Sequence, residues 1–262
     1  MPYADIAGIS LYYEDSAAGP PNVPPVLLLH ELGGSSESWR SVITRLAPRR
    51  TVIAMDYRGA GRSEKPREAF AFAQLADDAA DLLAHLGVIQ ADVIGAAMGS
   101  LVGVALAARH PARVRSLALF AVAADMTGRT AAYLIERAAS VRAEGMRPVA
   151  AASIGNAFPA GFGSEAAQYR PLYLSNDPVG YAALSVALAE AEFPPDLWRA
   201  IQVPTTIFSG TYDFIWPPAS GRHVASLIRG ARFEILGDAG HFPHLQTPAA
   251  VTAGFISAQS ML

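Results

Sequence analysis

The chain has 262 residues, of which 52% are hydrophobic, and its formal net charge at pH 7 is −3. This length suits one large domain, or a core domain that carries an insertion, and the scattered basic residues exclude a continuous cationic stripe for a nucleic-acid backbone. The absence of cysteine excludes disulfides, thiolate catalysis and cysteine-based zinc sites, and no apolar run reaches the roughly 18 residues that span a bilayer.

The predicted elements begin with a β-hairpin and continue as alternating strands and helices. Residues 2–6 and 9–14 alternate in hydrophobicity around Ala7-Gly8, which is typical of a hairpin. Residues 26–29 form a wholly apolar run, as expected for a central strand covered on both faces. Further strands are predicted at 51–56, 92–95 and 114–122, with helices at 37–46, 72–86 and 98–109. This alternation predicts a doubly wound α/β sheet with right-handed crossovers.

The alternation is interrupted between residues 125 and 200, where only helical patterns occur. These patterns cover residues 130–143, 148–157 and 178–192. Strands at 205–209 and 232–236 and helices at 219–228 and 248–257 then resume the alternation. We therefore expect an α/β core made of residues 1–124 and 201–262, with residues 125–200 inserted as a helical lid on one edge of the sheet.

One strand-to-helix junction has the pattern of a nucleophile elbow. The segment DVIGAAMGS, residues 92–100, runs from a predicted strand directly into a helix of small residues. In a Gly-x-Ser-x-Gly elbow the central residue holds a strained backbone conformation, and its glycine neighbours avoid collisions with the adjoining strand and helix. Gly95 and Gly99 fit this pattern, but the central residue is Ala97. An ordinary tight turn with packing glycines is the alternative interpretation.

An acid and a base follow the last two predicted strands. Asp213 lies in the loop after residues 205–209, and His241 lies in the loop after residues 232–236. The carboxyl ends of parallel strands line the crevice where open α/β sheets bind ligands. In a nucleophile, acid and base triad the histidine takes the nucleophile's proton, while the aspartate fixes the histidine tautomer. A turn-forming Asp213, a packed His241 and a competing acid at Asp125 are the alternatives.

The loop after the first buried strand supplies candidate oxyanion donors. Residues 30–34 read HELGG, and a glycine-rich loop at this place presents backbone N–H groups to a developing oxyanion. We predict the amides of Leu32 and Met98 as the two donors. A loop without this function is the alternative.

Two other patterns do not support a ligand site. The pair His241 and His244 lacks a suitably spaced third ligand, so we predict no metal site and a structural role for His244. The segment DYRGAGRS, residues 56–63, contains Gly-x-Gly but lacks the third glycine and the immediate helix of a dinucleotide site. We therefore predict that the protein needs no cofactor.

The segments HELGG, DYRGAGRS, GAAMGS, GTYDFIWP and AGHFPHLQTP together resemble the α/β-hydrolase superfamily, in order and across essentially the whole chain. The resemblance implies an α/β-hydrolase fold, with a mostly parallel eight-stranded sheet, flanking helices and an inserted lid. Residues 135–146, 156–162 and 180–183 look more specifically like 3-oxoadipate enol-lactonases and their relatives. By position, the resemblance implies Ala97 in the slot where serine is expected, Asp213 and His241 as its partners, and Leu32 and Met98 as oxyanion donors.

Some residues around this site have less specific signals. Glu31 replaces the glycine that commonly follows the histidine of this loop, and we expect it to be solvated or to brace the loop, with substrate contact as the alternative. Five aromatic residues are candidates for the wall of an apolar substrate pocket: Phe158, Phe162, Tyr181, Phe193 and Trp216. Packing within the core is the alternative for each of them.

The combined pattern predicts a serine-type hydrolase of an ester or lactone of a small, apolar or aromatic carbonyl compound. Alanine cannot attack a carbonyl, and loss of the serine from such a triad costs on the order of 10⁶ in kcat, so we expect the Ala97 form to be inactive. The retained Asp213 and His241 favour a deliberate Ser-to-Ala replacement that traps a bound substrate. Carbon-carbon bond hydrolysis of a β-diketone-like substrate and a natural non-catalytic binding protein are the alternatives.

The same observations predict the partners and the location of the protein. We expect a small-molecule substrate, no nucleic acid and no membrane as partners, and the sequence is compatible with a homodimer. The N-terminal segment has neither the basic region nor the apolar region of a secretory signal, so we expect a cytoplasmic protein.

Overall fold

The computed structural model describes residues 2–16, 19–20, 22–126 and 128–260 of the chain. Eight strands occur in this part of the chain: β1 (Tyr3–Ile6), β2 (Ile9–Asp15), β3 (Val26–Leu29), β4 (Val52–Met55), β5 (Ala91–Ala96), β6 (Val114–Phe120), β7 (Thr205–Gly210) and β8 (Arg232–Leu236). They form one sheet in the order β1-β2-β4-β3-β5-β6-β7-β8. β2 pairs antiparallel with β1 and β4, and the other pairs are parallel.

The centre of the sheet is covered on both faces because β3 and β4 are apolar at every position. β3 consists of Val-Leu-Leu-Leu, and all four residues are buried. Successive side chains of a strand point to opposite faces, so Leu27 and Leu29 belong to one apolar cluster while Val26 and Leu28 belong to another. Leu29 pairs with Met55 of β4 and Gly95 of β5. The three strands therefore end at the same edge, where the loops that follow them meet.

Helices cover both faces of the sheet and fill the interval between β6 and β7. Those of the α/β alternation are α1 (Arg40–Leu46), α2 (Ala73–His85), α3 (Met98–Arg109), α9 (Pro218–Leu227), α10 (Pro243–Gln246) and α11 (Pro248–Gln259), and those of the interval are α4 (Arg129–Glu144), α5 (Arg147–Ala157), α6 (Gly163–Leu174), α7 (Pro178–Ala189) and α8 (Pro195–Arg199). α1 and α11 pack on the face of Leu28, and α2 and α3 pack on the face of Leu29. Within the described residues, no helix combines the length and the apolar character needed to cross a membrane.

The predicted fold class is confirmed, whereas several predicted elements differ in detail. β6 ends at Phe120, two residues before the predicted end, and the predicted helix at 37–46 begins as a 3-10 turn at Ser36–Trp39. α6 was not predicted because Pro171 lies inside it and a glycine begins it, and both residues are helix-breaking signals. α8 and α10 have five and four residues, which is too short to show a helical period.

The interval helices lie over the carboxyl-end edge of the sheet. The Asn176 side chain, which follows α6, donates a 2.8 Å hydrogen bond to the carbonyl of Gly33 in the loop after β3. At the start of α7, Gly180 lies so close to Gly59, in the loop after β4, that a Cβ at position 180 would approach the Gly59 carbonyl oxygen to 2.1 Å. These contacts place helices from the interval directly above the loops that follow the central strands.

Candidate active site

Ala97 occupies a strained turn between β5 and α3. Its backbone has φ 50° and ψ −116°, a conformation that L residues rarely adopt. The turn leaves no room for a side chain two positions before or two positions after Ala97. A Cβ at Gly95 would lie 2.4 Å from the carbonyl oxygen of Gly99, and a Cβ at Gly99 would lie 2.0 Å from that of Leu29. The two glycines are therefore required by close backbone packing, and the turn has the shape of a nucleophile elbow.

Asp213 and His241 lie in contact at the same edge of the sheet. The Nδ1 atom of His241 is 2.9 Å from Oδ2 and 3.1 Å from Oδ1 of Asp213. Both residues are buried, with exposed fractions of 1% for Asp213 and 6% for His241. Oδ1 also accepts hydrogen bonds from the backbone N–H groups of Ile215 and Trp216, at 3.0 and 2.9 Å. The carboxylate is thus fixed by its own loop and holds the imidazole by one nitrogen.

This contact determines which nitrogen of His241 is available for chemistry. Because an ionised carboxylate only accepts hydrogen bonds, Nδ1 carries the donated proton and Nε2 carries the free lone pair. His241 also lines the cavity that Ala97 lines. The Trp216 ring packs edge-on against the imidazole, with ring centroids 5.1 Å apart. The arrangement suits a base that accepts a proton at Nε2 from a group at position 97. The competing acid, Asp125, is exposed, whereas Asp213 contacts His241 directly.

The two predicted oxyanion donors also reach this cavity. Leu32 lies in the loop after β3, Met98 is the first residue of α3, and both line the cavity. The first N–H groups of a helix lack partners within the helix, so they point toward whatever lies before it. The preceding loop is held by His30, whose Nδ1 is 2.8 Å from the carbonyl oxygen of Glu31.

The cavity has a volume of about 480 Å³ and lies between the sheet edge and the interval helices. This size falls within the usual range for small-molecule sites. Its lining combines sheet-edge residues Leu32, Ala97, Met98, Ile215, Trp216, His241 and Phe242 with Met126, Arg129, Thr130, Tyr133, Leu134, Arg137, Ser153, Asn156, Tyr173 and Leu188.

One of the five predicted pocket aromatics lines the cavity, and four do not. Trp216 is a lining residue. Phe158 instead packs against Tyr169 and Phe242, with ring centroids 5.6 and 5.8 Å away. Phe193 packs against Phe72 and Trp198. Tyr181 packs edge-on against Tyr173. Phe162 is partly buried against the main apolar cluster. Sequence position within the insertion does not distinguish these packing roles, because the facing elements are distant along the chain.

Several polar residues of the interval helices line the cavity and were missed by the sequence reasoning, among them Arg137, Ser153 and Tyr173. The guanidinium of Arg137, on α4, donates to the Ser153 hydroxyl at 3.3 Å and lies over the ring of Tyr181. The Tyr173 hydroxyl in turn donates to Ser153 at 2.9 Å. Arginine supplies 19 of the 20 cationic residues in this chain, since Lys65 is the single lysine. Nothing in the sequence therefore distinguishes an arginine that lines the cavity from the many others.

Glu31 is fully buried and braces its loop, so it is neither solvated nor a lining residue of the cavity. Its carboxylate is 2.9 Å from Nε2 of His244 and accepts a 2.8 Å hydrogen bond from the Ser38 hydroxyl. Burial raises the pKa of Glu31, but the charge and hydrogen bond of His244 outweigh this effect and lower it to about 2. The carboxylate is therefore ionised throughout the physiological pH range.

The DYRGAGRS segment also has a bracing role. Asp56 accepts backbone hydrogen bonds from Ser36 at 2.6 Å and from Arg62 at 2.7 Å, and Arg58 forms a bidentate pair with Asp78 of α2. These contacts tie the loop after β4 to its neighbours. In the part of the chain that the structure describes, no group of three or more histidine and acidic residues has the arrangement of a metal site.

A family model described as the alpha/beta hydrolase fold matches residues 24–248 of the chain. The chain belongs to this family. The α/β-hydrolase relative 3-oxoadipate enol-lactonase 2 of Acinetobacter baylyi is 31% identical over 232 residues, which cover 87% of this chain and 85% of that protein. The predicted membership of the α/β-hydrolase superfamily, with enol-lactonase-like relatives, is thereby confirmed.

The chain is also similar over nearly its whole length to solved structures. The enol-lactonase from Burkholderia xenovorans LB400 has a TM-score of 0.92 at 32% identity and covers 99% of this chain and 100% of its own. A thermophilic esterase from Thermogutta terrifontis has a TM-score of 0.91 at 28% identity, with coverages of 100% and 97%.

Proposed function

We propose that the chain is a nucleophile-lacking form of a serine-type ester or lactone hydrolase, with residues 125–200 acting as the lid. One observation carries the proposal. Ala97 holds the strained elbow backbone, and it lines the same cavity as His241, whose Nδ1 is bound to Asp213. Strain of this kind costs on the order of 1–3 kcal/mol. An ordinary packing turn has no need of it.

A serine at position 97 would complete a catalytic triad with His241 and Asp213. Its hydroxyl would attack the ester or lactone carbonyl while His241 Nε2 takes the proton, and Asp213 would stabilise the resulting imidazolium. The N–H groups of Leu32 and Met98 would bind the oxyanion of the tetrahedral intermediate. His241 would return its proton to the leaving oxygen and then activate the water that releases the acyl group. The enol-lactonase and esterase relatives carry names for this type of reaction.

We further propose that the preferred substrate carries a carboxylate as well as an apolar body. Arg137 lines the cavity, its Nε has no hydrogen-bond partner, and it takes part in none of the ion pairs among the described residues. A partly buried guanidinium without a carboxylate is suited to a bidentate anionic ligand. The thermophilic esterase relative was solved with malate, a dicarboxylate, bound.

The decisive experiment for the hydrolase is the single replacement Ala97→Ser. The variant is assayed on short-chain esters, lactones and a ring-cleavage β-diketone, beside the unchanged chain and the double variant Ala97→Ser/His241→Gln, which has the hydroxyl without its base. We expect turnover of an ester or lactone only with Ala97→Ser, at a rate on the order of 10⁶ above the Ala97 chain. Faster turnover of the diketone would assign carbon-carbon bond hydrolysis instead. No turnover of any substrate by a folded Ala97→Ser variant, with tight ligand binding by the Ala97 chain, would assign a natural binding protein.

The carboxylate preference is tested by binding, because the Ala97 chain needs no activity for this measurement. Calorimetric titration compares a short aliphatic or aromatic carboxylate with its neutral amide, for the unchanged chain, Arg137→Gln and the control Arg142→Gln. Arg142 is exposed on the same helix. We expect Arg137→Gln to weaken carboxylate binding by on the order of tenfold, which corresponds to one charge-assisted hydrogen bond, and to leave amide binding unchanged. Equal losses for both ligands would contradict the proposal.

A further inference from the structure

Glu31 and His244 form a fully buried pair that joins two loops of the site. Their exposed fractions are both 0%, and the contact between Nε2 of His244 and Oε2 of Glu31 measures 2.9 Å. The residues are 213 positions apart along the chain. Glu31 directly precedes Leu32, and His244 follows His241 by three positions. The pair therefore connects the loop of a proposed oxyanion donor to the loop of the proposed base.

The surrounding residues leave a defined space for the Glu31 carboxylate. A Cβ at Gly34 would lie 2.1 Å from Oε1 of Glu31 and 2.5 Å from the Ser38 hydroxyl oxygen, so a side chain at position 34 would displace the Glu31 carboxylate from this place. Ser38 donates to the same Oε1 atom at 2.8 Å. The Trp39 ring packs on the His244 imidazole, with centroids 4.4 Å apart. Both oxygens of the carboxylate are thus held, and the His244 ring is held on one face.

Stability alone does not account for such a pair. Removing the Glu31 carboxylate from water costs several kcal/mol, and well-packed apolar residues commonly replace a buried charged pair without loss of stability. A buried pair does specify geometry, because the Glu31 carboxylate without His244 would be an uncompensated buried charge. Here the geometry specified is that between the backbone around Leu32 and the loop that carries His241.

We propose that Glu31 and His244 are positioning residues, which set the Leu32 amide and the His241 imidazole at the mutual distance that hydrolysis requires. The proposal rests on the proposed function and goes beyond it, since neither side chain lines the cavity. The two residues act through their neighbours, Glu31 through Leu32 and His244 through the short helix Pro243–Gln246 that follows His241. Their effect should therefore appear in the transition state and leave substrate binding unchanged.

The test uses Ala97→Ser as the active background and adds Glu31→Gln, His244→Gln or both. Misplacement of a catalytic group by about 1 Å costs up to a hundredfold in rate, so each single change should lower kcat by on the order of tenfold to a hundredfold with KM unchanged. Because the pair acts as a unit, the double variant should be no slower than the slower single variant. The control is Asp77→Asn, which removes the charge of a half-buried carboxylate that contacts the His110 imidazole at 2.7 Å and pairs with Arg109, away from the cavity. This change should leave kcat unaltered.

The outcomes separate the two proposals. If Ala97→Ser is inactive on every substrate, the proposed function fails, and the positioning role fails with it. If Ala97→Ser is active and Glu31→Gln lowers only the free energy of unfolding, with kcat unchanged, the pair is structural and the positioning proposal alone is overturned. Should Glu31→Gln not fold, Ser38→Ala replaces it, because it removes one hydrogen bond from Oε1 and leaves the ion pair intact. A several-fold fall in kcat at constant KM supports the proposal, and an unchanged kcat overturns it.

A second measurement uses the Ala97 chain itself. Hydrogen exchange at the Gly34 amide, which donates to the Glu31 carbonyl at 3.1 Å, reports on how firmly the oxyanion loop is held. We expect Glu31→Gln to accelerate exchange at Gly34 while amides of the central strands, such as Leu28, keep their protection. Uniform acceleration at both positions would show global destabilisation and contradict a local positioning role.

Discussion

Replacing Gly99 by alanine tests the packing that forms the elbow. The new Cβ would lie 2.0 Å from the carbonyl oxygen of Leu29 and 2.8 Å from that of His30. Both obstacles are backbone atoms at the end of β3, so no change of rotamer relieves the collision. Either α3 must move away from β3, or the turn at Ala97 must open.

The expected cost follows from a comparison with Gly103 on the same helix. A Cβ at Gly103 would meet only side-chain atoms of Val93, Leu119 and Leu117, at 3.5 to 3.7 Å, which is ordinary contact. Gly103→Ala should therefore gain the helix preference of alanine over glycine, about 1 kcal/mol. Overpacking costs about 1–3 kcal/mol, and the collision of a Cβ with backbone oxygens, which cannot move aside as a side chain can, belongs at the upper end. The two variants should differ by about 4 kcal/mol in free energy of unfolding.

Urea unfolding followed by circular dichroism measures this difference directly. Equal m-values for the two variants and the unchanged chain would show that the same two states are compared. The transition midpoint should fall for Gly99→Ala and rise for Gly103→Ala. If the two midpoints move together, or if Gly99→Ala is tolerated, the close approach of α3 to β3 is wrong, and with it the argument that the glycines form an elbow.

Three further changes test other contacts. His244 lowers the pKa of Glu31 from 4.5 to about 2, so the ionised carboxylate stabilises the folded chain. This contribution to the free energy of unfolding is about 3 kcal/mol. It is fully present above pH 4.5 and is lost, through protonation of Glu31, as the pH falls toward 2. The stability gap between the unchanged chain and Glu31→Gln in urea titrations should therefore narrow below pH 4.5, and a constant gap would contradict the ion pair. Asp213→Asn in the Ala97→Ser background should lower kcat by on the order of 10⁴ at constant KM, whereas a loss of less than about tenfold would mean that another acid serves His241. Asn176→Ala, which removes the donor to the Gly33 carbonyl, should cost about 1 kcal/mol in urea unfolding, and an unchanged midpoint would refute that hydrogen bond.

The fold class could be predicted because it depends on local patterns along the chain. The apolar run of β3 and the small-residue start of α3 each reflect their own segment. Gly95 and Gly99 could be recognised from their spacing around position 97, although the obstacle at Gly99 is the Leu29 carbonyl of a different strand. Strand ends of a parallel sheet meet at one edge, so the positions of Asp213 and His241 after β7 and β8 placed them in one region without any structure.

The wall of the cavity and the role of Glu31 could not be predicted in this way. Phe158 and Trp216 are both aromatic residues near the site. Only the packing of distant elements decides that Trp216 lines the cavity while Phe158 contacts Phe242. Whether Arg137 lines the cavity depends in the same way on where α4 crosses the sheet edge.

The sequence by itself determined the order of the elements, the elbow around Ala97 and the residues available for an acid and a base, because these follow from spacing and side-chain chemistry. Only the tertiary structure decided which side chains meet across long intervals of the chain. The pairing of Glu31 with His244, 213 positions apart, is such a case. The free energy of burying a charge depends on its partner, and the residues next to a charge in the sequence do not show which distant residue that partner is.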